Sequence, residues 1–148
     1  MITDAMNPGR VTAPPSAILE TCLDVRDLSL SCDFYSRLFG YEVMRSDGRF
    51  CAMKVDQQQV LILFRQGSDP AGTILPFGRI PSHGSKGQGH IGFRIPAESL
   101  SPWHARLAEM GIPVESQFTW PAGGTSIYFR DPDGHLLERL TPGVWPIY

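Results

Sequence analysis

Apolar and polar residues alternate in the first regular segment of the chain, and a helical pattern follows it. Residues 18–25 alternate between apolar and polar side chains, the pattern of a half-buried β-strand. Asp27 or Ser29 can cap the helix that comes next, and Gly40 stands where a helix C-cap favours glycine. The apolar stripe of this helix consists of Leu28, Cys32, Tyr35 and Phe39.

The same order of elements returns 70 positions later, so that His90 takes the place of Glu20. Residues 90–95 form the second opening strand, Ser99 or Ser101 caps the second helix, and Gly111 ends it. Each helix is followed by three more strands. In the first unit, one strand begins near Val43 and the other two cover 49–55 and 59–64. In the second unit, one strand begins near Val114 and the other two cover 125–130 and 135–140. We therefore predict an α+β fold in which two βαβββ modules form a curved mixed sheet around a cleft, in a single domain.

This repeat also sets the expected domain boundaries. Residues 1–16 read as an irregular N-terminal arm, 17–142 as the domain, and 143–148 as an apolar C-terminal tail. Within the domain, module one covers 17–65 and module two covers 90–142. The linker at 66–89 is rich in Gly, Pro and Ser, which is typical of a lid, a binding loop or a solvated tether.

Composition narrows the class of protein. A chain of 148 residues is expected to form one domain, and a net charge of −2 without Lys/Arg runs argues against nucleic acid and membrane surfaces as partners. The three cysteines form no CxxC pair, which disfavours a disulfide scaffold and a zinc ribbon. No signal-peptide core and no membrane-spanning run occurs, so a cytoplasmic location is expected.

Three side chains stand out as candidates for chemistry. Glu20 and His90 occupy equivalent strands of the two modules, and Glu138 lies on the last strand among apolar neighbours. A carboxylate on an apolar strand face is costly unless it is paired or binds a metal ion. Together the three could hold a divalent cation. Taken singly, His90 is equally compatible with a core histidine, and Glu20 and Glu138 with solvated carboxylates.

Four motifs stand out along the chain: ETCLDVRDL at 20–28, FYSRLFGYEV at 34–43, GQGHIGF at 87–93 and YFRDPDGHLLE at 128–138. They resemble motifs of the vicinal oxygen chelate superfamily, and the resemblance covers residues 18 to about 142. This superfamily includes glyoxalase I, extradiol dioxygenases, fosfomycin-resistance enzymes, methylmalonyl-CoA epimerase and bleomycin-binding proteins. The order of the motifs is specific for the superfamily but not for one activity.

The resemblance implies four metal-site positions, which are occupied here by Glu20, Ile62, His90 and Glu138. Ile62 cannot bind a metal, so the four-ligand chemistry of glyoxalase I is disfavoured. The remaining Glu/His/Glu set suits Mn²⁺, or less selectively Zn²⁺ or Ni²⁺, and is less suited to Fe²⁺. Glu20 and Glu138 are the candidate catalytic residues. Further, weaker substrate-binding candidates are Asp24, Ile62, Phe64, His83, Arg94 and Tyr128.

The expected function is a divalent-metal-dependent enzyme of the lyase, isomerase or dioxygenase type that acts on a small oxygenated molecule. The alternative is a metal-free protein that binds a drug, of the bleomycin-resistance type, and Ile62 and Glu20 favour it. No feature of the sequence specifically favours a third hypothesis, a purely structural or partner-binding module. Relatives of this size are homodimers, so a homodimer is expected, and the site can be built from both chains.

Overall fold

A computed structural model describes residues 15–148 and contains the predicted repeat, which confirms the α+β fold with two βαβββ modules. The predicted arm at 1–16 lies mostly outside the described residues. Module one consists of β1 (Glu20–Val25), α1 (Leu28–Phe39), β2 (Glu42–Ser46), β3 (Phe50–Lys54) and β4 (Val60–Arg65). Module two consists of β7 (His90–Arg94), α2 (Leu100–Glu109), β8 (Ser116–Thr119), β9 (Thr125–Arg130) and β10 (Leu136–Leu140).

Each module forms its own four-stranded mixed sheet, and the two sheets share one topology. The strand orders are β1-β4-β3-β2 and β7-β10-β9-β8, with one parallel pair in each sheet, β1 with β4 and β7 with β10. The registers also match, because Cys22 lies opposite Ile62 as Gly92 lies opposite Glu138. Ile62 is therefore the module-one counterpart of Glu138, as the sequence repeat predicts.

The two helices begin differently, although both follow an opening strand. Asp27 caps α1 with its side chain, which accepts a hydrogen bond from the backbone N–H of Leu30 at 2.9 Å. Gly40 ends α1 in the left-handed conformation, at φ 72°. Ser99 precedes α2 without a side-chain cap, because a 3₁₀ turn at Ala97–Ser99 leads into this helix instead.

One hydrophobic core joins the modules. The buried side chains come from one face of each sheet and from the helices, and Tyr35 of α1 is fully buried among them. We call the strand faces that line this core the inner faces, and the opposite faces the outer faces. The members of the core are Leu23, Val25, Tyr35, Leu38, Cys51, Met53, Leu61, Leu63, Leu107, Ile127, Phe129 and Leu137.

Polar contacts to the turn between β9 and β10 add to the joint between the modules. The Tyr35 hydroxyl donates to the buried Asp131 carboxylate at 2.7 Å, and Ser31 donates to Asp133 at 3.1 Å. Arg26 donates both its backbone N–H and its guanidinium to Asp133, at 2.9 and 3.1 Å. Burial and the nearby Asp131 charge raise the pKa of the Tyr35 phenol far above its usual range. The turn of module two is thus anchored on β1 and α1 of module one.

Arg139 of β10 lies buried between the modules without a carboxylate partner among residues 15–148. Its guanidinium carbon lies 3.7 Å from the ring centre of Trp103 and 4.0 Å from that of Phe39. Burial lowers the pKa of Arg139 to about 9, while Tyr41 acts in the opposite direction. The aromatic rings of Phe39 on α1 and Trp103 on α2 therefore both contact the same cation.

The linker contains regular structure that the sequence did not predict. Strands β5 (Thr73–Leu75) and β6 (Gly78–Ile80) pair as an antiparallel hairpin with a two-residue turn. Beyond it the chain returns across the end of β1, where the backbone N–H and the hydroxyl of Ser85 both donate to Asp24. No helix in the described part of the chain is long and apolar enough to cross a membrane.

Candidate functional site

His90 and Glu138 lie side by side on the outer face of the module-two sheet. His90 Nε2 is 3.1 Å from Glu138 Oε2, and His90 Nδ1 is 3.0 Å from the carbonyl oxygen of Leu136. Because a carbonyl only accepts, Nδ1 carries the hydrogen and donates it to Leu136. The Glu138 side chain is 7% exposed, whereas the His90 side chain is about half exposed. A lone pair on Nε2 would face a carboxylate oxygen, so this arrangement requires a proton or a cation between the two atoms.

Gly92 allows close packing beside this pair. It lies opposite Glu138 on the neighbouring strand. A Cβ atom at this position would lie only 2.7 Å from Leu140 Cδ1 and 3.8 Å from Glu138 Oε2. The absence of a side chain therefore lets the Leu140 methyl group pack against the strand beside the carboxylate.

Tyr128, a candidate from the sequence, belongs to the same face as the pair. It lies directly opposite Glu138 in the register of β9 and β10, and its ring stacks on His90 with 6.4 Å between the centres. The pKa of the Tyr128 phenol is raised, first by partial burial and then by Glu138, while the Ser126 hydroxyl acts in the opposite direction.

Sequence reasoning missed two aromatic residues that continue this face. Phe118 of β8 stacks on Tyr128 with 5.9 Å between the centres, and its ring lies 4.9 Å from that of Trp120. The indole N–H of Trp120 donates to the Ser126 hydroxyl at 2.8 Å. The period-two pattern Ser116, Phe118, Trp120 could have found them, because alternate residues of a strand share a face.

Glu20, the third expected ligand, lies apart from the pair. It is exposed at the start of β1 in module one. Among residues 15–148, no His, Cys, Asp or Glu joins His90 and Glu138 to form a group of three that could hold a metal ion. On the same face as Glu20, the pKa of Cys22 is raised by partial burial and then by the charges of Glu20 and Asp24. Ile62, opposite Cys22, is half-buried.

The linker covers the far end of this module-one face. The His83 ring meets the Phe64 ring edge-on with 4.5 Å between the centres. Both rings line a cavity of about 720 Å³, together with Asp24 and Lys86. His83 and Asp24 therefore belong to one cavity on module one, and the Asp24 carboxylate is engaged by Ser85 there.

Arg94 and His135 have partners of their own. The Arg94 guanidinium lies over the ring of Tyr148, 5.6 Å from its centre, so its interaction is with the C-terminal tail. His135 is buried, accepts from the backbone N–H of Gly89 at 2.7 Å, and donates to the carbonyl oxygen of Asp24 at 2.8 Å. It lies away from Glu138, as the strand alternation predicts.

Comparison with known proteins places this geometry in a family. The family model described as "Glyoxalase/Bleomycin resistance protein/Dioxygenase superfamily" matches residues 17–138. A metallothiol transferase FosB from Bacillus licheniformis is 30% identical over 122 residues, which are 82% of this chain and 72% of that protein.

Solved structures agree with the family match. A lactoylglutathione lyase from Agrobacterium tumefaciens superposes with a TM-score of 0.80 at 37% identity, covering 90% of this chain and 99% of that one. A fosfomycin resistance protein FosX variant from Listeria monocytogenes, in complex with Mn(II) and a dihydroxypropylphosphonic acid, has the same fold. Its TM-score is 0.63 at 23% identity, with 85% of this chain and 90% of that one covered. The chain belongs to the glyoxalase, bleomycin resistance protein and dioxygenase superfamily.

Proposed function

We propose that this protein is a divalent-metal-dependent enzyme acting on a small oxygenated molecule, with His90 and Glu138 as metal ligands. The observation that carries the proposal is the contact of 3.1 Å between His90 Nε2 and Glu138 Oε2, with Nδ1 committed to Leu136. A backbone acceptor on one ring nitrogen is the usual way in which proteins orient a histidine ligand.

The residues present fit a hard divalent cation. One imidazole nitrogen and carboxylate oxygens suit Mn²⁺, and less selectively Zn²⁺ or Ni²⁺. The FosX structure with Mn(II) supports this choice for the fold. A cation bound there would act as a Lewis acid on two neighbouring substrate oxygens.

The surrounding side chains have roles that follow from their contacts. Leu136 orients His90 through its carbonyl oxygen. Gly92 lets Leu140 pack beside Glu138, which leaves the carboxylate 7% exposed. Tyr128 lies opposite Glu138, and its hydroxyl can donate a hydrogen bond to the carboxylate or to substrate. The reaction class stays open between lyase, isomerase and dioxygenase types.

Glu20 is proposed to reach the pair from a second copy of the chain. It is exposed, and within one chain it joins no group of three possible ligands among residues 15–148. The edge strands β2 and β8 are exposed along their whole length, and edges of this kind are usually covered by pairing or packing. A homodimer that combines the outer face of module one with that of module two would supply the third ligand and the catalytic carboxylate of Glu20.

Metal content tests the ligand pair. Protein purified without chelator and incubated with Mn²⁺ should hold about one ion per chain by inductively coupled plasma mass spectrometry. Removal of the hydrogen-bond partner of a metal ligand usually weakens metal affinity 10- to 100-fold. Removal of the ligand itself should weaken metal affinity by more than that. His90→Ala and Glu138→Ala should therefore lose the ion. His104→Ala on α2 is the matched control and should retain it. Full occupancy in Glu138→Ala would contradict the assignment.

Mixing of variants tests the shared site. Glu20→Ala and His90→Ala chains should each lack tight metal binding. Co-refolded as a mixture, they form some heterodimers in which one site carries both changes and the other carries none. Metal binding should then return to part of the chains. No recovery, in a mixture shown to exchange subunits, would show that Glu20 does not reach the pair from a second chain.

The alternative is a metal-free binding protein, and Ile62 favours it because an aliphatic side chain stands at the counterpart of Glu138. In that case a single proton between His90 Nε2 and Glu138 Oε2 accounts for their contact. Absence of bound metal after incubation with Mn²⁺, Ni²⁺, Zn²⁺ and Fe²⁺ would decide in its favour.

A further inference from the structure

Three aromatic residues extend the His90–Glu138 pair across the outer face of module two. Starting from His90, successive ring centres lie 6.4 Å (to Tyr128), 5.9 Å (to Phe118) and 4.9 Å (to Trp120) apart. The first two steps are stacked, with interplanar angles of 28° and 23°, and the third is tilted by 58°. We call Tyr128, Phe118 and Trp120 the aromatic strip.

The outer end of the strip is held in place by the fold. The indole N–H of Trp120 donates to the hydroxyl of the fully buried Ser126. The backbone of Trp120 also closes the turn before β9, through its N–H to Gly124 and its carbonyl oxygen to Gly123. The ring orientations therefore do not depend on a ligand, and pre-organised groups lose little entropy when a ligand binds.

The outer face of module one shows what an aromatic pair looks like when the chain covers it. There the rings of Phe50 and Phe64 lie 6.0 Å apart, with the Arg45 guanidinium over Phe50 and the His83 ring against Phe64. Both phenylalanines are half-buried. Tyr128 and Trp120 in the strip are also half-buried, whereas Phe118 is 42% exposed, and no guanidinium among the described residues lies over it. Within one chain, Phe118 therefore leaves the strip open on the face that carries the proposed metal ligands.

We propose that the aromatic strip binds a flat apolar group of the substrate, preferably an aromatic ring, whose two neighbouring oxygens face His90 and Glu138. The inference rests on the proposed function and narrows its substrate class to oxygen chelators that carry such a group. Each ring pair in an offset or edge-on arrangement contributes about 0.5 to 1.5 kcal/mol beyond area burial. An aromatic substituent should therefore strengthen binding by about 2- to 12-fold for each ring it meets.

Two hydroxamates provide the test, because both present two neighbouring oxygens and differ only in the group attached. Dissociation constants of acetohydroxamate and benzohydroxamate are measured by calorimetry on Mn²⁺-loaded and metal-free protein. Benzohydroxamate should bind at least about fivefold more tightly to the wild-type protein. Phe118→Ala and Trp120→Ala should each bring the two constants close together, and Trp120→Phe should keep most of the preference.

Trp145→Ala is the matched control, because this tryptophan is exposed on the C-terminal tail, and it should leave the preference unchanged. Equal affinity for the two compounds in the wild-type protein overturns the strip as a substrate site. So does a preference that survives in both alanine variants. Dissociation of the dimer in those variants, seen by sedimentation, would assign the strip to subunit contact instead.

The two proposals fail in different ways in this experiment. Metal-dependent binding of acetohydroxamate without any preference for the aromatic compound overturns only the strip. A preference for benzohydroxamate that is the same with and without Mn²⁺ retains the strip and overturns the metal-dependent function. Binding of neither compound overturns both.

Discussion

At the scale of single residues, Arg139 shows how a buried charge is held without an opposite charge. Its guanidinium is enclosed by Trp103 and Phe39, one from each helix, and its Nε and Nη2 atoms have no hydrogen-bond acceptor among residues 15–148. An unpaired buried charge is costly, and the attraction between a cation and ring faces offsets part of that cost. The long aliphatic stem also fills the space between the modules.

Two substitutions of Arg139 separate the contribution of its charged group from that of its aliphatic stem. Arg139→Ala removes both the stem and the cation, and it should lower the free energy of unfolding by about 2 to 4 kcal/mol. Arg139→Met keeps the stem and removes the desolvated charge, so it should cost clearly less. Urea unfolding measures both, with the exposed Arg37→Ala as control at under about 0.5 kcal/mol. A Met variant as unstable as the Ala variant would contradict this account.

Because side chains alternate between the two faces of a strand, a proposed metal ligand and core residues occupy neighbouring positions in β10. Glu138 points to the outer face while Leu137 and Arg139 point to the core. A shift of one residue in the register of β10 would exchange them. The ligand pair therefore depends on the same packing that determines the register of the sheet.

At the scale of elements, the two helices provide a comparison of capping within one chain. Asp27 caps α1 with a hydrogen bond of 2.9 Å, whereas Ser99 makes no side-chain bond at the start of α2. Asp27→Ala should lower the free energy of unfolding by about 1 kcal/mol, because it leaves an N–H of the first turn without its acceptor.

The control for that change is Ser99→Ala, which should cost only a few tenths of a kcal/mol. Both are measured as shifts of the urea midpoint at constant slope. Equal shifts in the two variants would show that the cap of α1 contributes nothing specific.

The sequence predicted the elements of both modules well and their relative placement poorly. Alternation and glycine stops located β9 at its observed bounds and most other strands within one or two residues. The repeat also identified Ile62 as the counterpart of Glu138. The hairpin in the linker was missed, because segments of three residues are too short for a periodic signal.

The candidate site was predicted in part. His90, Glu138 and Tyr128 come together as expected, since neighbouring strands with matched register bring them to one face. The position of Glu20 relative to them could not be predicted. Strand periodicity determines the face on which a residue lies, but not how two sheets are arranged in space.

At the scale of the whole molecule, the contact between Tyr35 and Asp131 joins helix α1 of module one to the last turn of module two. Its loss in Tyr35→Phe leaves a buried carboxylate oxygen without its donor, so the free energy of unfolding should fall by about 1 to 3 kcal/mol. Ser29→Ala at the start of the same helix is an exposed control and should change it by less than about 0.5 kcal/mol.

The contact between Tyr35 and Asp131 also predicts how the free energy of unfolding changes at alkaline pH. The pKa of Tyr35 is raised in the folded protein, so the folded state keeps this proton when the unfolded chain loses it near pH 10. The contribution of Tyr35 to the free energy of unfolding is complete well below that pH and declines above it, with a slope that approaches about 1.4 kcal/mol per pH unit. Tyr41, whose pKa is raised to about 12, is present in the wild-type protein and in Tyr35→Phe. Its effect on the free energy of unfolding therefore cancels when the two proteins are compared.

The stability difference between the wild-type protein and Tyr35→Phe should therefore narrow by about 1 kcal/mol between pH 10 and pH 11. Urea titrations at pH 8, 10 and 11 measure it. A difference that stays constant over this range would show that the Tyr35 phenol ionises as easily in the folded state as in the unfolded chain.

The separation of inner and outer faces also bears on how such a chain can diverge. The inner faces hold both modules in one core, while the two outer faces carry different side chains at matched positions, Ile62 on one and Glu138 on the other. Substitutions on an outer face leave the core contacts in place. Proteins descended from one ancestral module can thus keep the fold through their inner-face residues. They can acquire or lose an activity through substitutions of their outer-face residues.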